Sequence, residues 1–126
     1  MSAIGIIRCE KNEERCPLTN CLKSLENSRE GFKNYANPEL IGIFTCRCPG
    51  DKVGKQGKIL KSKGADTIHI CTCTFSHKEK DGWRKGNGFC DHIDNILKNL
   101  AEETGLVCVK GTAHLPPEYE PEILYP

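Results

Sequence analysis

Three short apolar runs of this chain end in cysteine, and they limit the possible folds more than any other sequence feature. They cover residues 4–9, 41–46 and 67–73. Each run is apolar on both faces, which is typical of a strand buried inside a parallel sheet. The carboxyl ends of parallel strands meet at one edge of a sheet, where ligands bind. We therefore expect several thiols to converge there.

Helix signals separate these strands. Pro17, tolerated in a first helical turn, opens a helix that we expect to end at residues 34–37, and Pro49-Gly50-Asp51 opens a second helix ending at Gly64. A third helix begins at residues 90–92 with Asp91 as its N-cap and ends at Gly105. Its apolar stripe at spacing i, i+3, i+4, i+7 consists of Ile93, Ile96, Leu97 and Leu100.

The alternation of strands and helices, closed by a fourth strand at residues 106–111, predicts an α/β fold. Right-handed crossovers make it a small doubly wound, flavodoxin-like α/β/α sandwich with a four-stranded parallel sheet in the order 2-1-3-4. Residues 1–114 form one domain. Residues 115–126 are a tail rich in proline and glutamate, docked or disordered. Residues 74–88 form a long connection, either a lid or binding loop or a mobile surface loop.

Composition excludes several classes of function. With 18 basic and 17 acidic residues, the net charge of +1 offers no field for nucleic acid, which is an unlikely partner. No apolar stretch approaches the roughly 20 residues of a membrane helix, and the N-terminus lacks signal-peptide features. We expect a cytoplasmic protein without a membrane partner. The sequence identifies neither a protein partner nor a small substrate.

Nine cysteines are the main functional signal. Their number is odd, and in a reducing compartment clustered cysteines indicate a metal ion, an iron–sulfur cluster or thiol chemistry rather than disulfides. Thiolates and imidazoles suit zinc or iron–sulfur clusters. The candidate metal ligands at the predicted edge are Cys9, Cys16, Cys21, Cys46, Cys48, Cys73, Cys90 and His92, with Cys71 and His114 as further donors.

The remaining donors are assigned other roles. Cys108 lies between two valines of the fourth strand and is interpreted as a small buried hydrophobic residue. His69, inside the third strand, is interpreted as a core histidine. Cys71 and Cys73 face the same side if that strand persists through both. His77 has no partner visible in the sequence.

Position also bears on thiol reactivity. Four cysteines flank predicted helix N-termini, where the helix dipole lowers a thiol pKa, namely Cys16, Cys46, Cys48 and Cys90. Arg47, between two of them, acts in the same direction. Thiolates of low pKa serve metal binding and redox attack equally, so a thiol-dependent redox or sulfur-transfer enzyme stays open as the alternative function.

The order of these residues resembles the CGGC-domain family of small, cysteine- and histidine-rich proteins. The resemblance implies a metal-binding protein with zinc favoured, and an iron–sulfur cluster comes next because the thiols outnumber what one zinc needs. This chain has Cys46-Arg47-Cys48 in place of the family's Cys-Gly-Gly-Cys, which weakens a thioredoxin-like interpretation. The motifs that carry the resemblance are Ile6-Ile7-Arg8-Cys9, Arg15-Cys16-Pro17 with Cys21-Leu22, Ile43-Phe44-Thr45-Cys46, Cys48-Pro49-Gly50, residues 63–70, Cys73, Cys90 with His92, and Gly111-Thr112 with His114.

Overall fold

A computed structural model describes residues 2–126 and contains seven strands and three α-helices. The strands are β1 (Ala3–Cys9), β2 (Glu39–Cys46), β3 (Thr67–Ile70), β4 (Ser76–Glu79), β5 (Gly82–Lys85), β6 (Val107–Lys110) and β7 (Glu122–Leu124). The helices are α1 (Thr19–Glu26), α2 (Val53–Ser62) and α3 (Ile93–Thr104). Short 3₁₀ turns lie at Glu10–Asn12, Glu30–Phe32 and Thr72–Thr74.

The main sheet has five strands in the order β2-β1-β3-β6-β7. The first four are parallel, and β7 runs antiparallel to β6, with Leu124 opposite Cys108. The predicted four-stranded parallel sheet is therefore corrected to a mixed five-stranded one. The tail supplies the extra strand because the outer edge of β6 offers unpaired backbone donors and acceptors. Leu124 packs on the core, whereas Ile123 and Tyr125 are exposed.

Helices cover both faces of the sheet, as expected for an α/β fold. On one face, α1 and the turn Glu30–Phe32 bring Leu25 and Phe32 against Ile4 and Ile6 of β1. On the other face, α2 and α3 enclose the second core cluster, which contains Ile7. Because side chains alternate along a strand, β1 contributes to both cores, and this explains its continuous apolar sequence.

Helix α3 follows its predicted stripe, and α1 is shorter than predicted. The four stripe residues of α3, which are Ile93, Ile96, Leu97 and Leu100, are buried, and Gly105 ends this helix at a φ of +71°. The N-cap is His92, without a side-chain hydrogen bond, so the prediction of Asp91 as cap is wrong. Helix α1 ends at Glu26 because a polar turn follows, in which Ser28 has a φ of +52°.

Residues 74–88 are not the long irregular connection that the sequence predicts. Most of this stretch forms the antiparallel hairpin β4–β5, with Lys78 opposite Trp83. Its charged residues hide the strand pattern, although Asp81-Gly82 is a known hairpin turn signal. The Trp83 ring stacks on His114, with ring centroids 5.2 Å apart and an interplanar angle of 9°. This stack connects the hairpin to the loop after β6.

The third strand ends at Ile70, earlier than predicted. Thr74 closes the 3₁₀ turn that follows, because its backbone N–H and its Oγ1 hydroxyl both donate to the carbonyl of Cys71, at 3.1 and 2.7 Å. Such threonine bonds compete with regular strand pairing. Strand alternation therefore does not extend to Cys71 and Cys73, and yet both thiols join the core on the α1 face.

His69 is fully buried, which confirms its assignment as a core histidine. Its Nδ1 lies 2.7 Å from the carbonyl oxygen of Gly111 and its Nε2 lies 2.7 Å from the Tyr35 hydroxyl. A carbonyl can only accept, so Nδ1 carries the proton and Nε2 accepts from Tyr35. Burial lowers the pKa of His69 to about 4.

We expect this histidine to make the fold sensitive to acid. Above pH 6.5, the pKa of an unfolded histidine, both states are neutral and the stability is complete. As the pH falls from about 6.5 to about 4, His69 binds a proton in the unfolded state but stays neutral in the folded state. This difference removes about 3 kcal/mol of the free energy of unfolding. Urea unfolding of the protein and of His69→Gln between pH 7 and pH 4 measures it, and equal pH slopes would contradict the assignment.

A thiol-lined cavity at the carboxyl edge of the sheet

The end of the β1–β2 pair places two thiols side by side. Cys9 and Cys46 are the last residues of β1 and β2 and are directly opposite each other in the strand pairing. Adjacent strands are separated by about 4.8 Å. Both cysteines are buried. This pair therefore begins the convergence of thiols that the sequence predicts at the carboxyl edge.

A cavity of about 270 Å³ opens at this edge and collects further donors. Cys48 comes from the loop after β2, and Cys90 and His92 come from the segment that leads into α3. Apolar side chains such as Phe89 and Ile96 complete the walls. Five of the eight predicted ligands thus border one cavity, namely Cys9, Cys46, Cys48, Cys90 and His92.

Burial keeps the deepest thiols protonated. It raises the pKa of Cys9, and it raises the pKa of Cys46 to about 11. Neighbouring Cys90 and Cys48 raise both pKa values further, because negative charges so close together repel. The prediction that a helix N-terminus lowers the pKa of Cys46 is wrong, because α2 begins only at Val53 and desolvation raises this pKa.

Arg47 pairs with carboxylates in this structure. It points to the rim, where its guanidinium donates two hydrogen bonds to Glu13, at 3.0 and 3.2 Å, and lies 3.5 Å from Glu10. Glu10 also accepts from the backbone N–H of Cys48 at 3.1 Å. The charge of Arg47 is therefore balanced by carboxylates, and the loop bearing Cys48 is held against the turn after β1.

The other three predicted ligands lie outside this cavity. Cys21 is in a buried group on the α1 face, where its Sγ is 3.1 Å from the Thr112 hydroxyl. A hydrogen bond from the Cys71 thiol lowers the pKa of Cys21. Cys16 packs at the margin of the same group. Cys73 lies between the two sets of thiols, and burial raises its pKa to about 11.

Cys108 belongs to neither group of thiols. Cys108 is fully buried, which confirms its assignment as a core residue. Sequence reasoning missed Glu10 and Phe89, since an acidic loop residue and a lone aromatic carry no ligand pattern. All nine cysteines are unpaired thiols.

Metal-ligating groups are not already assembled. Within residues 2–126, no three histidine, cysteine, aspartate or glutamate side chains surround a common point as metal ligands do.

Of the helices in the described chain, none combines the length and the hydropathy that crossing a bilayer requires.

Alkylation of the metal-free protein tests the environment of the cavity thiols. We expect iodoacetamide to modify exposed Cys48 well before buried Cys46. Because only the thiolate reacts, and the pKa of Cys46 is about 11, its rate should still rise about tenfold per pH unit up to pH 10, where an ordinary thiol of pKa about 8.5 has levelled off. Peptide mass spectrometry between pH 7 and pH 10 measures both rates. A plateau for Cys46 below pH 8 would contradict the assigned environment.

Comparison with known proteins places this architecture in context. The family model described as the CGGC domain matches residues 3–113. An uncharacterized protein of Methanocaldococcus jannaschii is 35% identical over 118 residues, which cover 86% of this chain and 84% of that protein. No solved structure matches the chain.

Proposed function

The chain belongs to the CGGC-domain family, and on that premise we propose that its thiol-lined cavity binds a metal ion, with zinc favoured. The observation that carries this proposal is the convergence of four thiols and one imidazole on a single cavity at the carboxyl edge of the sheet. The residues proposed to hold the ion are Cys9, Cys46, Cys48 and Cys90, with His92 as a further donor.

The donor set fits zinc chemically. Zinc prefers four ligands drawn from thiolate sulfur and imidazole nitrogen, and this cavity contains both types. Its walls are otherwise largely apolar and include Phe89, Ile93 and Ile96. An apolar surrounding strengthens the attraction between a dication and thiolates. Carboxylate is scarce in the wall, where Asp91 is the one acidic residue among those described, so hard cations are poorly suited.

The raised pKa values of the cavity thiols make metal binding depend on pH. Ionised thiols here repel one another, and this repulsion contributes to the raised pKa values of Cys9 and Cys46. A bound dication replaces that repulsion with attraction and deprotonates its ligands. We therefore expect zinc binding to release protons and to strengthen as the pH rises.

Two of the proposed ligands lie at strand ends and two lie in irregular segments, where side chains can move more easily. Cys9 and Cys46 are fixed by strand pairing, whereas Cys48 and Cys90 belong to irregular segments. The latter two can turn their thiols toward the strand ends when the ion arrives. Because Cys48 is exposed, it is the ligand that His92 can most readily replace. Exchange of that kind would suit a protein that takes up or releases metal.

Two alternatives use the same cysteines. Four thiols equally satisfy an iron–sulfur cluster. A redox or sulfur-transfer enzyme would need a reactive thiolate, and the pKa of about 11 at Cys46 argues against that residue as the nucleophile. In either case we place the protein in the cytoplasm, where nine unpaired cysteines stay reduced. A metal ion or cluster is its expected partner.

Metal and acid-labile sulfide analysis of protein purified without oxygen tests the proposal. We expect about one zinc per chain, the number that one four-ligand site requires, and no sulfide. If the protein contains iron and acid-labile sulfide, the same ligands hold an iron–sulfur cluster instead of zinc. A protein that binds neither metal, even after reduction and incubation with zinc, would overturn metal binding and leave the thiol enzyme.

A further inference from the structure

A second pocket, of about 360 Å³, lies beside the thiol cavity and shares the Phe89 wall with it. It is enclosed by the loop after β1, by the β4–β5 hairpin and by residues 87–89. Its volume falls within the usual range of small-molecule sites. Nothing in the metal-binding proposal requires this pocket.

One polar group at the pocket lacks a partner. Ser76 is only 2% exposed, and its hydroxyl makes no hydrogen bond to any residue of the described chain. A buried hydroxyl without a partner is costly, so such groups are uncommon unless a ligand or water completes them. Ser76 borders the pocket, so a rotation of its short side chain can direct the hydroxyl to a ligand there.

The ionisable side chains that line the pocket are basic. Its ten described lining residues include Arg15, His77 and Lys78 and no carboxylate. Arg15 forms no ion pair within residues 2–126, and its guanidinium lies 5.9 Å from the centre of the Phe89 ring. Both nitrogens of His77 face acceptors, Gly86 oxygen at 2.6 Å and Glu79 at 2.8 Å, an arrangement that favours the protonated ring.

Two aromatic side chains give the pocket flat apolar walls. Trp83 is held by its stack on His114. Phe89 is fixed through its backbone, which donates to the carbonyl of Cys73 at 3.0 Å and accepts from the Lys11 ammonium at 3.0 Å. Walls that are fixed in advance lower the entropic cost of binding a planar molecule.

We propose that this pocket binds a small aromatic carboxylate. The planar body lies between Trp83 and Phe89, the carboxylate pairs with Arg15, and the Ser76 hydroxyl donates to a polar atom of the ligand. A charge-assisted bond to a guanidinium is the strongest single contact available in the pocket. Removing the charge from either partner should therefore cost most of the affinity.

The fluorescence of Trp83, the one tryptophan of the chain, reports directly on this pocket. Titration with 4-nitrobenzoate should quench it to saturation, and neutral 4-nitrobenzyl alcohol should bind about tenfold more weakly. Arg15→Gln should weaken nitrobenzoate binding about tenfold and leave the alcohol unchanged. Ser76→Ala removes a group without a partner, so it should fold normally and bind both probes more weakly.

Arg29→Gln is the matched control, because Arg29 is exposed in the turn after α1 and does not line the pocket. It should bind both probes as the unmodified protein does. Quenching that is linear and equal for acid and alcohol would overturn the proposal. Equal nitrobenzoate affinity in Arg15→Gln and Arg29→Gln would overturn it as well. Loss of metal binding would not affect either result, so the two proposals fail separately.

Discussion

Replacing Cys9 and Cys90 together by serine should lower the zinc affinity at least about a thousandfold, since each thiolate contributes several kcal/mol to a structural zinc site. Both residues line the thiol cavity, where burial raises the pKa of Cys9 and the neighbouring Cys90 adds to that rise. Serine keeps the size of the side chain but offers a far poorer ligand to a borderline-soft ion. Competition with a chromogenic chelator under reducing conditions measures the affinity.

Cys16→Ser is the control for this experiment. Cys16 is only partly buried and lies outside the cavity, on the α1 side of the sheet. We expect its zinc affinity to remain within about threefold of the unmodified value, the scatter expected of a change remote from the site. Equal losses in Cys16→Ser and in the double variant would contradict the choice of ligands.

Phe32→Ala should lower the free energy of unfolding by about 3–5 kcal/mol, the usual cost of removing a fully buried phenylalanine. The ring is 0% exposed and packs against His69 with centroids 4.4 Å apart. Its removal leaves a cavity on the α1 face that the surrounding sheet and helix cannot fill. Urea denaturation at pH 7.5 measures the change, since His69 is neutral there in both states.

Tyr125→Ala supplies the comparison, because this side chain is 71% exposed. Its effect should stay within about 0.5 kcal/mol. A loss below about 1.5 kcal/mol for Phe32→Ala would mean that the α1 face is packed more loosely than described. Zinc affinity of the folded Phe32→Ala protein should be unchanged, because Phe32 lies in the core cluster that excludes the cavity thiols Cys9 and Cys46.

The sequence predicts those elements whose pattern arises from burial. The continuous apolar sequence of β1 reflects packing on both faces, and the stripe of α3 reflects one buried face. By contrast, β7 depends on the free edge of β6, a tertiary feature without local signal. The hairpin β4–β5 is missed because its residues are polar on both sides, so no alternation distinguishes it from a loop.

The candidate site also has a part that the sequence predicts and a part that it does not. The meeting of Cys9 and Cys46 follows from parallel strand order, and the sequence therefore predicts it. The conformation of the loop after β2 decides where the Cys48 thiol points and whether Arg47 pairs with Glu13 or with a thiolate. The spacing of the cysteines in the sequence does not determine that conformation. Desolvation likewise cannot be read from sequence, and this is why the expected direction of the Cys46 pKa is reversed.

X-ray absorption at the zinc edge of the loaded protein tests the proposed thiolate metal site most directly. We expect a dominant sulfur shell at about 2.3 Å with three or four scatterers, one of which nitrogen of His92 can replace. In Cys9→Ser/Cys90→Ser the sulfur count should fall. A first shell made only of nitrogen or oxygen at about 2.0–2.1 Å would contradict a thiolate site at the carboxyl edge of the sheet.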